Sequence, residues 1–108
     1  MTHKNVNKAP NVRSLLAQYH AIHERQFKGD YDAVVTLVDL AEAITRAGLT
    51  DRQAQAIALV YGDDLTQADA GERLGVGQNT VSELLALGIA KIQRVYDKWA
   101  LTDEGGTY

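Results

Sequence analysis

Four side chains that can form hydrogen bonds fall close together in the stretch "GVGQNTVSELLALG": Gln78, Asn79, Ser82 and Glu83. If the stretch is helical, their spacing places them on one broad face. The amides of glutamine and asparagine can each pair with adenine through two hydrogen bonds, glutamate can accept from the amino group of cytosine, and serine can do either. These residues are therefore suited to recognising the edges of DNA bases, provided that the fold presents them to solvent.

The residues around this face predict a helix-turn-helix over residues 66–88, "TQADAGERLGVGQNTVSELLALG". Gly75 stands where the backbone must leave the first helix with a positive φ, which glycine adopts at little cost. Gly71 stands where the two helices come closest, so that only glycine or alanine fits. The positions that face inward or seal the turn carry small or apolar residues: Ala70, Leu74, Val76, Val81 and Leu84. An ordinary helical hairpin with a glycine turn is the alternative interpretation.

The rest of the chain predicts an all-α fold of about five helices, with the helix-turn-helix towards the C-terminus and a long final helix. Apolar residues recur at helical spacing and no segment alternates as a strand would. Asp30 is a natural N-cap, and Gly48 is suited to end the helix that Asp30 begins. Thr50 stands at capping-box spacing from Gln53, and Thr66 is expected to cap the next helix. We expect the following parts: a flexible basic arm over 1–11, one helical domain over 12–100 (an N-terminal helical pair over 12–48 and the helix-turn-helix part over 49–100), and a disordered tail over 101–108.

The apolar positions also predict which face of each helix is buried. In the first three helices these are Val12, Leu15, Leu16, Tyr19, Ile22 and Phe27, then Tyr31, Val34, Leu37, Val38, Ala41 and Ile44, then Ala54, Ile57, Ala58 and Tyr61. The final helix carries apolar residues around most of its circumference, so several of its sides are expected to be buried. Either the N-terminal helices or a partner subunit could provide that cover.

The charge of the chain is an objection to DNA binding, because the net charge of the 108 residues is −3. The distribution is uneven: residues 1–29 carry a net +4, residues 30–64 a net −5 and residues 65–108 a net −2. Phosphate contacts must therefore come from the two ends of the chain, and a monomer with few basic contacts binds DNA weakly. A basic arm or a homodimer would remedy this weakness.

Four residues are candidate phosphate contacts. Thr66 and Gln67 lie at the predicted start of a helix, where backbone amides and the helix dipole favour anions. Arg73 and Arg52 are the nearest basic side chains. The alternative for each is a capping or solvated polar residue.

Several classes of function find no support in the residues. The chain has no cysteine, which excludes disulfides and thiolate zinc sites and suits a reducing cytoplasm. No apolar run is long enough to span a membrane. No catalytic triad, phosphate-binding loop or cofactor motif is present, so we expect neither an enzyme nor a bound cofactor. His20, His23 and Glu24 share a helical face, but no fourth ligand is suggested, so we expect no metal site.

The stretch "LTDRQAQAIALVYGDDLTQADAGERLGVGQNTVSELLALGIAKI" resembles region 4 of the sigma-70 family, and more closely the sigma-like regulators of phages and prophages. The resemblance covers about residues 49–96, less than half of the chain. The resemblance implies a regulator in a bacterial host cell that binds promoter-like double-stranded DNA, with RNA polymerase as a further partner to consider. The chain departs from the family in having Ala70-Gly71 for isoleucine-alanine, Gly77 for a serine or threonine cap, and "SELLALGIA" where the family has charged residues.

Two alternative functions stay open. A small terminase-like subunit would use the same motif to mark viral DNA for packaging, and would assemble into a ring. A protein that imitates region 4 would bind RNA polymerase or another regulator without touching DNA. The acidic middle of the chain and the apolar final helix favour the second alternative. Under that alternative, however, Gln78 and Asn79 have no role.

Overall fold

The computed structural model describes residues 9–104, with side chains described as far as residue 101. Most of the expected arm and tail, 1–8 and 105–108, lies outside the described residues. Within the described range the fold is all-α, as predicted, and contains no strand. The helices are α1 (Val12–Ala17), α2 (Tyr19–Phe27), α3 (Tyr31–Ala47), α4 (Asp51–Ile57), α5 (Gln67–Leu74) and α6 (Gln78–Glu104), and α4 continues into a π-helical turn over Ala58–Gly62. None of the described helices is long and apolar enough to cross a membrane.

The described range contains six α-helices, because the segment 12–27, expected to be one helix, forms two. Gln18 interrupts it with φ −100° and ψ 9°, and its N–H donates to the carbonyls of both Ser14 and Leu15 at 3.1 Å. The interruption allows α1 to pack on α6 while α2 packs on α3.

The predicted caps of the middle helices are confirmed. Asp30 accepts from the N–H of Ala33 at the start of α3, and Gly48 ends that helix with φ 71°. Thr50 and Gln53 form the predicted capping box at the start of α4, each side chain accepting from the backbone N–H of the other. Thr66 caps α5 by accepting from the N–H of Asp69 at 3.1 Å.

The long helix α6 is the centre of the fold, since α1, α3, α4 and α5 all pack on it. Its buried side chains are Val81, Leu85, Ile89, Ile92 and Tyr96. The apolar stripe of this helix is therefore covered within the chain, while Leu87 on the other side is 56% exposed.

Tyr96 carries a polar group into this core. Its hydroxyl is buried without a hydrogen-bond partner in the described part of the chain. Burial, and then the nearby charge of Asp39, raises the pKa of Tyr96 to about 12. The phenol is therefore neutral at physiological pH, and its ring packs edge-on against Trp99.

The predicted buried faces were wrong at several positions. On α3 the buried residues are Ala33, Leu40 and Ala43, whereas Tyr31 and Val38 are 75% and 60% exposed. Phe27, at the end of α2, is 85% exposed. Apolar residues occupy two sides of α3, so the periodicity could not decide which side faces the core.

One of the buried positions of α4 is occupied by a polar side chain. Gln53 is buried, and its amide oxygen accepts from the N–H of Thr50 at 3.0 Å and from Nζ of Lys91 at 2.9 Å. Of the face predicted to be buried on α4, Ile57 is buried, whereas Ala54 and Ala58 are exposed. They line an open apolar groove whose other walls include Leu16, Tyr19, Leu40 and Tyr61.

Candidate nucleic-acid interface

The turn between α5 and α6 has the geometry that the sequence predicts at Gly75. That residue lies in the left-handed region, with φ 74° and ψ 32°. The N–H of Gly75 donates to Glu72 O at 3.3 Å, and the N–H of Val76 donates to Gly71 O at 2.9 Å. These bonds close the end of α5 and redirect the chain, and α6 begins two residues later.

The residues that hold the two helices together are small or apolar and lie inside. Ala70 and Val81 are fully buried, and Leu74, Val76 and Leu84 are half-buried. Gly71 is buried at the closest approach, where an added Cβ would lie 2.7 Å from the carbonyl oxygen of Val76. Real Cβ atoms essentially never come so close to a backbone atom, so the alanine that the sequence rule allowed does not fit here without a shift of the turn.

The first two turns of α6 bear the four candidate base-reading residues. Gln78, Asn79, Ser82 and Glu83 are all exposed. Within the described part of the chain, none of the four side chains forms a hydrogen bond or an ion pair. Their donors and acceptors therefore point to solvent at the leading end of a helix that is anchored by Val81. Such a convex end is what a DNA major groove admits.

The candidate phosphate contacts lie at both ends of α5. Thr66 and Gln67 stand at its start, Thr66 exposed and Gln67 half-buried. Arg73 is exposed in its last turn. Because α5 has eight residues, its two ends are about 12 Å apart.

Arg52 has a structural contact that the sequence did not reveal. Its guanidinium donates to the carbonyl oxygen of Leu74 at 2.6 Å, across 22 residues of chain. The bond connects the start of α4 to the last residue of α5, where an unpaired carbonyl favours a cation. Arg52 thus supports the turn, and it retains further guanidinium donors that a phosphate could accept from.

A second group of basic residues lies elsewhere on α6. Arg46, Lys91, Arg94 and Lys98 line one recess between the end of α3 and the second half of α6. Lys91 is about 18 Å along the helix axis from Asn79, since twelve residues separate them. The recess is therefore distinct from the face of Gln78 and Asn79. The spacing of the three α6 cations was the sequence signal for it.

No group of three histidine, cysteine, aspartate or glutamate side chains within the described residues could hold a metal ion. His20, which shares a helical face with His23 and Glu24, lies instead 3.6 Å from a carboxylate oxygen of Asp64. His23 packs against the ring of Tyr19.

The fold, the left-handed Gly75 and the projecting start of α6 define a helix-turn-helix protein. Residues 47–94 match the family model of sigma-70, region 4. This segment is therefore a sigma-70 region 4-like helix-turn-helix. Comparison of the chain with curated proteins and with solved structures gave no match.

The family match supports a DNA-binding regulatory role, with RNA polymerase as a further partner to test. Sigma-70 region 4 is a family of DNA-binding domains rather than of enzymes.

Proposed function

We propose that this protein is a sequence-specific transcription regulator, encoded by a phage or prophage, that reads double-stranded DNA with the leading turns of α6. The observation that carries the proposal is the set of four exposed, unpaired polar side chains on a helix start that Gly75 projects outward. Gln78 and Asn79 are assigned to adenine, Glu83 to cytosine and Ser82 to either kind of base. Under this proposal the protein acts in the cytoplasm of a bacterial host cell.

Phosphate contacts in this proposal come from Thr66 and Gln67 at the start of α5, and from Arg73 and Arg52 near its end. Only two of these four are charged, and the helix dipole supplies the rest of the attraction. Because the logarithm of the affinity falls with that of the salt concentration by about 0.9 per neutralised phosphate, we expect a shallow salt dependence for each subunit. Useful affinity then requires a second subunit on the same DNA, and we propose a homodimer.

The experiment is selection from random double-stranded DNA with the purified chain and with the double variant Gln78→Ala/Asn79→Ala. The wild-type chain should enrich a defined sequence, and the double variant should lose the preference at the adenine positions while keeping its helicity by circular dichroism. Gln55→Ala, an exposed glutamine on α4 with no assigned DNA contact, is the matched control and should enrich the wild-type sequence.

Two results would contradict the proposal. If the double variant selects the same sequence as the wild type, the assignment of the reading residues is wrong. If the wild-type chain enriches no sequence while it binds RNA polymerase, the protein imitates region 4 without reading DNA.

A further inference from the structure

The third turn of α6 continues the side of the helix that carries the candidate reading residues. Leu87 follows Glu83 by four residues, so it lies one turn further along and about 40° around the helix. Ala86 follows Ser82 in the same way. Both side chains are exposed, and that of Leu87 is 56% accessible. The exposed surface of α6 therefore changes from polar to apolar within three turns of its start.

The packing of α6 determines the direction in which this apolar turn faces. Leu85 is 1% exposed and Ile89 is 7% exposed, so both side chains are held in the core. Leu87 lies about 160° around the helix from each of them and points away from the core. It lies only about 80° around the helix from Asn79. A surface that follows the reading side of α6 for three turns therefore also meets Leu87.

The major groove of B-DNA has the dimensions to follow the helix over this distance. The groove is about 12 Å wide, and a helix with its side chains is about 10–12 Å in diameter, so the helix can lie along it. Leu87 is about 12 Å along the helix axis from Asn79, which is the rise of three to four base pairs. On the base edges of this groove, the apolar group is the C5-methyl of thymine.

The charges near Leu87 favour a base rather than a phosphate as its contact. The exposed residues between 86 and 90 are Ala86, Leu87 and Ala90, and none of them is charged. Lys91, one turn beyond Leu87, donates instead to the carbonyl of Gly48 and to the amide oxygen of Gln53. An aliphatic side chain cannot neutralise a phosphate, whereas its contact with a methyl group removes apolar surface from water.

We propose that Leu87 is a further specificity-determining residue, which contacts the C5-methyl of a thymine three to four base pairs beyond the adenines assigned to Gln78 and Asn79. This inference rests on the proposed function, because it requires the start of α6 to lie in the major groove. The first two turns then recognise DNA through hydrogen bonds, and the third turn recognises it through an apolar contact.

The test uses the sequence that the wild-type chain selects from random DNA, which should contain a thymine at this distance from the adenines. Deoxyuridine in place of that thymine removes the C5-methyl and leaves the hydrogen-bonding groups of the base unchanged. The replacement should weaken binding of the wild type about 4-fold, the factor expected for the loss of one buried methyl. Leu87→Ala should bind the two duplexes equally, because the side chain that distinguishes them is absent.

Two variants and one duplex serve as controls. Leu101 is also an exposed leucine of α6, 68% accessible, but lies about 21 Å beyond Leu87 along the helix axis. Leu101→Ala should therefore retain the 4-fold preference of the wild type. Leu87→Met keeps an apolar side chain of similar volume and should retain most of it. Deoxyuridine at a thymine outside the selected sequence should leave binding unchanged, and circular dichroism should show equal helicity for all variants.

Three results would overturn the contact while leaving the proposed function intact: a selected sequence without thymine at this distance, equal binding of the two duplexes by the wild type, or a preference that persists in Leu87→Ala. In each case the loss of selectivity in Gln78→Ala/Asn79→Ala would still support recognition by the first turns of α6. A wild-type chain that selects no sequence at all would overturn both.

Discussion

The two halves of this molecule distribute polar and apolar residues differently. In the C-terminal half, α4 to α6, most of the large apolar side chains of α6 are buried or half-buried, Leu87 and Leu101 are exposed, and the leading face of the helix carries four polar residues. In the N-terminal half, α1 to α3, large apolar side chains such as Phe27, Tyr31 and Val38 are exposed. The N-terminal half therefore exposes more of the large apolar side chains that are expected of a core than the C-terminal half does.

The difference between the halves reflects two ways in which the sequence specifies structure: through local backbone constraints and through packing between distant helices. The helix-turn-helix is specified by local constraints, such as a positive φ at Gly75 and a close approach at Gly71, and these act within a few residues of sequence. The N-terminal helices are specified by what packs on them, and one face of α3 has no partner within the described chain. Three substitutions test this comparison, from the largest expected effect to the smallest.

Truncation of a core leucine should give the largest loss of stability among the three substitutions. Leu85 is 1% exposed and lies among the helices that pack on α6. Leu85→Ala should lower the free energy of unfolding by about 2–5 kcal/mol, since both burial and packing are lost. Denaturant unfolding followed by circular dichroism measures the change.

The controls for this prediction are two exposed apolar residues, Leu87 on α6 and Val38 on α3. Leu87→Ala and Val38→Ala should each change the free energy of unfolding by less than about 0.5 kcal/mol when the chain is dilute enough to be monomeric. A large loss for Val38→Ala under those conditions would show that the face of α3 is buried within one chain, and the contrast between the halves would disappear.

The close approach at Gly71 gives the second prediction. In Gly71→Ala the new Cβ meets the backbone carbonyl of Val76, which cannot rotate away as a side chain would. We expect a loss of about 1–3 kcal/mol from overpacking, because the gain in helix propensity of about 1 kcal/mol offsets only part of it. The shifted turn should also weaken the selection of DNA sequence.

Gly62→Ala is the matched control, since nothing lies within 4 Å of a Cβ built at that glycine. It should leave both stability and DNA selection close to those of the wild type. If Gly71→Ala is as stable as Gly62→Ala, the turn is not held at the distance described, and the family's alanine would suit this chain equally well.

Much of the fold could be predicted because caps and turns depend on near neighbours. Asp30, Thr50 and Thr66 cap their helices as expected, and Gly48 and Gly75 end theirs in the left-handed region. The split at Gln18 could not be predicted, since Gln18 is compatible with a helix and the split depends on two distant helices. The side of α3 that faces the core could likewise not be predicted, because apolar residues lie on both sides of that helix.

In the candidate site, too, some features could be predicted from neighbouring residues and others depend on distant ones. The exposure of Gln78 and Asn79 follows from their position just after a glycine turn, so local sequence indicates it. The bond from Arg52 to Leu74 joins residues 22 apart and leaves no local pattern. Gln53 is similar, because its burial depends on Lys91, which is 38 residues away.

The smallest expected effect concerns Arg52, for which sequence and structure suggest different roles. Arg52→Ala removes the donor to the Leu74 carbonyl and should cost about 1 kcal/mol, the usual contribution of an exposed hydrogen bond. Arg73→Ala, on an exposed arginine with no such bond to the backbone, should change stability by less than about 0.5 kcal/mol. Thermal or denaturant unfolding of the two variants measures this difference.

Salt-dependent DNA binding then separates support of the turn from contact with phosphate. If each arginine also neutralises one phosphate, each variant should weaken binding to all sequences alike and reduce the salt slope by about 0.9. A change in stability for Arg52→Ala with an unchanged slope would make Arg52 a support of the turn alone. Equal stability of the two variants would show that the bond to Leu74 does not hold the reading helix in place, and that the connection between α4 and α5 depends on apolar packing.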